Sequence, residues 1–184
     1  MPIEPPPAIA HGGLARDAGA AVAFDAGAPI VGAGHGTRGI RRILLATDLS
    51  ATSDGASSQA LDLARDLTGD LLVVSVIDPM NGPVADHPAG RIDQLRADRE
   101  LVARELVTRG RESGVRVTFL IWQGDPGEAI VDAARSEAVD LVVVGSHGRG
   151  SMGRLIIGSV SDHVVRHAPC PVLVVRGPQP AVPH

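Results

Sequence analysis

Leu141-Val-Val-Val-Gly-Ser-His-Gly148 begins as an unbroken apolar run and ends in glycines; nine residues further on, Gly158-Ser159 opens a helical pattern from Val160 to His167. A short run of valine and leucine with no polar alternation is the pattern of a strand buried on both faces. Glycines in the following loop let backbone N–H groups turn toward a ligand with no Cβ in the way, and a helix N-terminus adds unpaired donors and the positive end of a dipole. Ser159 can cap that helix or offer its hydroxyl to an oxygen. The stretch is suited to holding phosphates. The same spacing also fits a plain strand-to-helix turn in which glycine only permits tightness.

Working outward, the chain from Arg41 onward alternates strand and helix patterns. Ile43 to Thr47 is an apolar run ending at Asp48, and Ser50 to Ser53 offers caps for a helix whose apolar stripe is Ala60, Leu63, Ala64 and Leu67, closed by Gly69. Leu71 to Ile77 reads as a second strand, and Asp78 to about Gly90 as a Pro/Gly-punctuated loop. A long amphipathic helix follows, with Ile92, Leu95, Val102 and Leu106 on its buried face and Arg91, Arg96, Arg99, Glu100 and Arg104 on its solvated one. Val115 to Ile121 is the third strand. Asp125-Pro-Gly-Glu128 is a cap with proline at the first helical position, starting a helix to about Glu137. Leu141 to Val144 and Val172 to Val175 complete five strands.

Continuous apolar strands separated by helices predict an α/β fold: a doubly wound, Rossmann-like, five-stranded parallel sheet of order 3-2-1-4-5 with helices on both faces. In such sheets ligands bind beyond the carboxyl ends of the strands, where the strand order reverses. The first and fourth strands then lie side by side, and Asp48 and the Gly145 loop face one crevice. Residues 1–40, rich in Pro, Ala and Gly, read as a flexible extension in which Ala28 to Val31 is a candidate short strand. Residues 41–176 form the domain and 177–184 a short tail.

The whole chain narrows the chemistry. Its 184 residues suit one α/β domain with an appendage, and a formal charge of −4 gives no electrostatic reason to expect nucleic acid or an anionic membrane as partner. All 17 basic residues are arginine. Without lysine there is no Walker-type phosphate loop, no Schiff base and no protein-kinase strand lysine. Cys170 is the only cysteine, which excludes an intrachain disulfide and reads as a small core residue. The amino terminus lacks a secretory signal pattern, Arg41-Arg42 lies too deep for a twin-arginine signal, and no run reaches membrane-spanning length. A cytoplasmic protein is the expectation.

Here the residues resemble the universal stress protein family, in its ATP-binding branch, over about Arg41 to Arg176. The family's motif is a glycine, two residues, a glycine, nine residues, then glycine and serine or threonine; Gly145, Gly148, Gly158 and Ser159 reproduce it without a gap. Asp140 to Arg149 and Gly158 to Val175 are similar to the family's closing segment, Ile43 to Ser50 to its first strand and loop, and Val74 to Asp78 to its second strand. Ala46 stands where many members have proline, and Ser75 where histidine is frequent.

The resemblance implies an ATP site, with Mg2+ or Mn2+ held by the phosphates, built from Ala46, Thr47, Asp48, Val76, Val144, Gly145, His147, Gly148, Arg149, Gly158, Ser159, Val160 and Ser161. Val76 would lie along the adenine with its backbone on the base edge. Asp48 would accept from a ribose hydroxyl or reach the metal; the competing use, helix capping, is already served by Ser50, Thr52 and Ser53. Arg149 would reach phosphates, His147 would donate to a phosphate or stand as a solvated loop histidine, and Arg154 reads as an exposed arginine. His163 and His167, four apart on a helix, have metal-ligand spacing but no third ligand nearby, so they read as surface residues. Pro171 suits Val172 to Val175 to an edge strand, and pairing across a two-fold axis matches the family's homodimers.

These features imply a nucleotide-dependent regulatory protein of the stress response. The matched segments hold no nucleophile and base pair, so at most weak ATP hydrolysis is expected. The alternatives are a slow ATPase on the same fold and a stress protein that takes AMP or a cyclic nucleotide. Gly34-His-Gly-Thr-Arg-Gly39 formally fits a dinucleotide fingerprint, but it precedes the first strand, and a phosphoacceptor domain would need an acidic cluster and a lysine that are missing.

Overall fold

Every odd-numbered apolar residue of the central strand faces one layer of helices and every even-numbered one the other, because strand side chains alternate with a period of two. In the computed structural model this strand is β2 (Arg42–Ala46), and Ile43, Leu44 and Leu45 are wholly buried. The structure describes residues 39–50, 53–80, 88–146 and 158–176, and the strand 22–24; of 22–24 and 88–90 only the backbone is described. Along the chain come β1 (Val22–Phe24), β2, α1 (Asp54–Asp66), β3 (Asp70–Ile77), α2 (Pro88–Glu112), β4 (Val117–Gln123), α3 (Pro126–Ser136), β5 (Leu141–Gly145), α4 (Ser159–His167) and β6 (Val172–Val175).

Five parallel strands run β4-β3-β2-β5-β6, the expected 3-2-1-4-5 order, and β1 adds an antiparallel strand outside β4. Ile43, Leu45, Val73, Phe119 and Val143 pack with Ala56, Ala60 and Ala64 of α1 and with Ala103 and Leu106 of α2. Leu44, Ala46, Val74, Val76, Val142 and Val144 pack with Ile130, Val131 and Ala134 of α3 and Val164 of α4. Alanines four apart on α1 let that helix lie close on the sheet. No helix among the described residues is long and apolar enough to cross a membrane.

The candidate strand Ala28 to Val31 lies outside the described residues. Val22–Phe24 pairs with the sheet, with Val22 opposite Ile121 and Phe24 opposite Phe119. The third parallel strand begins two residues later than its apolar pattern suggests. Gly114 takes φ +74° and the Val115 N–H donates to the Gly110 carbonyl at 2.8 Å, so Val115 is consumed in terminating α2. The face of α2 also differs in phase. Arg99, Ala103, Leu106 and Gly110, spaced by three and four, are its buried residues, whereas Val102 is 41% exposed. Arg99 was expected in solvent; it is buried and donates to the Ser75 hydroxyl at 3.0 Å. A long stem with a polar end satisfies both layers there.

Helices α1 and α3 end in the same backbone motif as α2, but with Thr68 (φ +53°) and Ala138 (φ +47°) in the left-handed position. Gly69 does not supply that conformation. It is required one residue on, where a Cβ would stand 2.7 Å from the Arg41 carbonyl oxygen. Thr68→Gly is expected to raise the unfolding free energy by about 1 kcal/mol by relieving the left-handed threonine. Gly69→Ala is expected to lower it by about 1–3 kcal/mol through overpacking against backbone. Urea unfolding of the two variants reads both, and a stabilised Gly69→Ala would contradict the assignment of these roles.

Arg41-Arg42 serves the entry to the sheet. Both backbone N–H groups donate to one Asp140 oxygen, at 2.9 and 2.8 Å, and the Arg42 guanidinium meets Glu137 at 2.6 Å. The expected cap of α3 is present: Asp125 accepts from the Glu128 N–H at 2.9 Å, with Pro126 at the first helical position.

Candidate functional site

Because β2 pairs on one side with β3 and on the other with β5, and the intervening helices cover opposite faces, the strand order reverses between β2 and β5. A crevice lies at the carboxyl ends of these strands. Ala46, Val76 and Val144 reach it as the last apolar side chains on the α3/α4 face and are each less than a tenth exposed.

The chain leaving β2 is held in a tight polar turn. The Thr47 N–H donates to the Val74 carbonyl at 3.1 Å, its hydroxyl donates to Ser53 Oγ at 2.8 Å, and it accepts from the Leu49 N–H at 3.0 Å. Asp48 Oδ1 accepts from the Ser50 N–H at 3.1 Å and the Ser50 hydroxyl at 2.7 Å. Asp48 therefore organises its own turn. Ser53 sits at the start of α1 without a side-chain cap, its hydroxyl donating back to the Ser50 carbonyl at 2.8 Å. Leu49 is left-handed at φ +57°, a cost tolerated where the surrounding hydrogen bonds over-determine the turn.

Across the crevice, one hydrogen bond draws the ends of the glycine-rich segment together and a second ties it to β6. The Ser146 N–H donates to the Val175 carbonyl at 2.7 Å, and the Ser146 carbonyl accepts from the Gly158 N–H at 3.2 Å. Gly145, the last residue of β5, and Gly158, the N-cap of α4, are thereby neighbours. His147, Gly148, Arg149 and Arg154 lie outside the described residues. Gly158 has φ −60° and ψ 157°, extended backbone that any residue adopts, and Gly145 is an ordinary strand residue. Backbone conformation does not call for glycine at either position.

The start of α4 has no side-chain cap among the described residues. Ser159 is the first helical residue and exposed; of its two sequence readings, capping falls to Gly158 and the hydroxyl donor remains. The buried Ser161 turns its hydroxyl back onto the Gly158 carbonyl at 2.9 Å, so only its backbone N–H faces outward along the helix axis with those of Ser159 and Val160. This first turn can receive an anion. Asp162 follows on α4; the Arg166 guanidinium, 2.9 Å away, holds its carboxyl below the usual carboxylate range.

Other candidates fall away from the crevice. His163 is half-buried with its ring against Gly127, and it stacks on His167 at 4.3 Å between ring centres. No group of three or more metal-ligating side chains occurs among the described residues. A cleft of about 70 Å³ between α1 and α2 carries the Arg109–Asp54 pair at 3.4 Å and shares Leu49, Ser50 and Ser53 with the turn after β2. Cys170 is only partly buried; desolvation, with the Asp140 charge adding to it, pushes its thiol above the usual value, while a hydrogen bond with the Val142 backbone pulls the other way. Its thiolate fraction at pH 8 lies below that of free cysteine, so iodoacetamide is expected to alkylate it several times more slowly than a cysteine peptide. Equal rates, followed by mass spectrometry, would contradict that.

Sequence reading missed Ser146 and Leu49. Ser146 lay between the residues that define the motif and ties both ends of the loop through its backbone, which side-chain chemistry does not announce.

The universal stress protein family model matches residues 39–176. A universal stress protein of Thermus aquaticus is 38% identical over 138 residues, covering 74% of this chain and 98% of the relative. Among solved structures, the universal stress protein UspA from Lactobacillus plantarum superposes with a TM-score of 0.67 at 28% identity, covering 74% of this chain and 98% of that one. Two more distant neighbours share the fold: a universal stress protein in complex with cAMP (24% identity, TM-score 0.58, 76% and 98% covered) and an Arabidopsis thaliana family protein with AMP bound (22%, 0.56, 75% and 92%). A matched domain that fills three quarters of the chain, on the fold and strand order described above, places this protein in the universal stress protein family.

Proposed function

We propose that the crevice between β2 and β5 binds an adenine nucleotide, ATP in the first instance, and that the protein is a nucleotide-dependent regulator of the stress response in the cytoplasm. The observation that carries the reading is the pair Gly145 and Gly158. Neither needs glycine for its backbone conformation, yet both stand at the mouth of an uncapped helix start. Close approach of a ligand to backbone would account for two missing side chains there. Backbone N–H groups of Ser159, Val160 and Ser161 would grip the phosphates, with His147, Gly148 and Arg149 closing over them. Ala46, Thr47, Val76 and Val144 would flank the base and ribose.

Asp48 would accept from the ribose or reach a metal ion on the phosphates. Its Oδ1 accepts from the Ser50 N–H and hydroxyl, which would restrict the carboxylate's rotation when a ligand binds. Mg2+ or Mn2+ fits such a site as a phosphate-borne ion, supplying charge neutralisation between the phosphates. Residues 41–176 form the binding unit. Two copies are expected to pair through β6, whose residues Val172 to Val174 remain partly exposed at the sheet edge.

A second reading, AMP or a cyclic nucleotide as the resident ligand, is favoured by the fold neighbours solved with AMP and cAMP. Mass spectrometry of ligand released from protein purified without added nucleotide separates the two. ATP or ADP is the expected species, and AMP or cAMP alone would replace the first reading with the second. The crevice displays no paired nucleophile and base among the described residues, so phosphate release from ATP is expected to be slow. Turnover that survives purification and disappears in Gly145→Val would make the protein an ATPase.

A further inference from the structure

The strand β4, Val117-Thr-Phe-Leu-Ile-Trp-Gln123, would form one edge of the parallel sheet if β1 were absent. It has no charged residue, proline or glycine, and five of its seven residues are apolar. Thr118, Leu120 and Trp122 lie on the α3 face and are only partly buried. An uncharged, apolar edge of this length is a template for pairing with another copy of itself. Natural sheets blunt such edges with lysines, prolines or bulges, and β4 carries no lysine or proline.

What it has instead is β1. Val22, Ala23 and Phe24 pair antiparallel with Ile121, Leu120 and Phe119, the middle three of the seven positions. β1 lies outside residues 39–176, the part matched by the family model. We propose that the segment around Val22–Phe24 is an edge cap, a strand added to the shared domain that occupies β4 within the same chain and closes it to self-association. A second copy's β4 is the occupant it excludes. The consequence concerns assembly: with β4 closed, association through β6 ends at a closed pair, whereas two open edges per molecule allow growth without closure.

The test uses the full chain with V22P/A23P. Proline removes the backbone donors of adjacent positions, so whichever of the two faces the ladder is lost, and the domain beyond residue 39 is untouched. Sedimentation velocity from micromolar to near-millimolar protein, with hydrogen exchange of the peptide spanning Phe119 to Ile121, reads the outcome. The variant is expected to lose protection at that peptide when dilute and to about double its weight-average mass, or more, relative to the unaltered chain when concentrated. Adding Thr118→Lys, one position outside the β1 ladder, should restore the original sedimentation by charging the edge. Unchanged exchange overturns the cap, lost protection without association overturns its purpose, and association that Thr118→Lys leaves intact locates the contact elsewhere and overturns the proposal. Mg-ATP-induced stabilisation measured on the same samples is expected to be unaltered, so this test stands apart from the nucleotide reading.

Discussion

Truncating Leu45 to alanine is expected to remove about 2–5 kcal/mol of unfolding free energy, in the upper half of that range. Leu45 is wholly buried in the central strand, between sheet and α1/α2 layer. Two features keep the vacated space from closing. The strand is held on both sides by parallel ladders to β3 and β5, and the helix residues across from it include Ala60 and Ala64, which have no side chain long enough to swing in. A cavity that cannot collapse keeps its full cost. Leu101→Ala provides the contrast: that side chain is 65% exposed on α2, and its loss should stay within about 0.5 kcal/mol. Urea unfolding of both variants checks the pair, and a Leu45→Ala cost below about 1 kcal/mol would contradict a closely packed core between β2 and the α1/α2 layer.

Gly158→Ala is expected to separate binding from folding. At φ −60° and ψ 157° alanine is conformationally at home, and reduced freedom of the unfolded chain should leave stability unchanged or raise it by about 0.4–1 kcal/mol. Its methyl group would stand at the mouth of the α4 start, where the phosphates are proposed to approach. A ligand at a hundred times its dissociation constant stabilises a protein by about 2.7 kcal/mol, and most of that increment should vanish in the variant. Calorimetric titration with Mg-ATP, together with urea unfolding of the free protein, reads the two effects separately. A folded Gly158→Ala that binds as tightly as the unaltered chain would return the glycine motif to a mere turn.

Strands were legible in the sequence because β2, β3 and β5 are buried on both faces, and such strands need apolar residues at every position. Their order came with the doubly wound class, since the alternation of strands and helices by itself also fits other right-handed orders. Helix phase was less so. Arg99 carries a charge that speaks for solvent, and only the tertiary pairing with Ser75 reveals that its stem fills the α2–sheet interface. Val115 is apolar and β-branched and reads as strand, yet the left-handed Gly114 commits it to closing α2. β1 was invisible for a related reason: three small or apolar residues in a Pro/Ala/Gly-rich stretch carry no periodicity, and their partner is the edge of a distant strand.

The site was legible as a list of residues but not as a set of roles. Glycine spacing located the crevice; it did not show that Gly158 caps α4, that Ser159 is exposed beyond it, or that Asp48 folds back on Ser50. Those assignments depend on hydrogen bonds between positions that any polar residue could fill.

The central claim, an adenine nucleotide held at the start of α4, is tested most directly by the melting temperature of the purified chain, freed of bound ligand, with and without millimolar Mg-ATP. A rise of several degrees, abolished by Gly158→Ala, is expected. An unchanged melting temperature, in protein from which no nucleotide had co-purified, would contradict it.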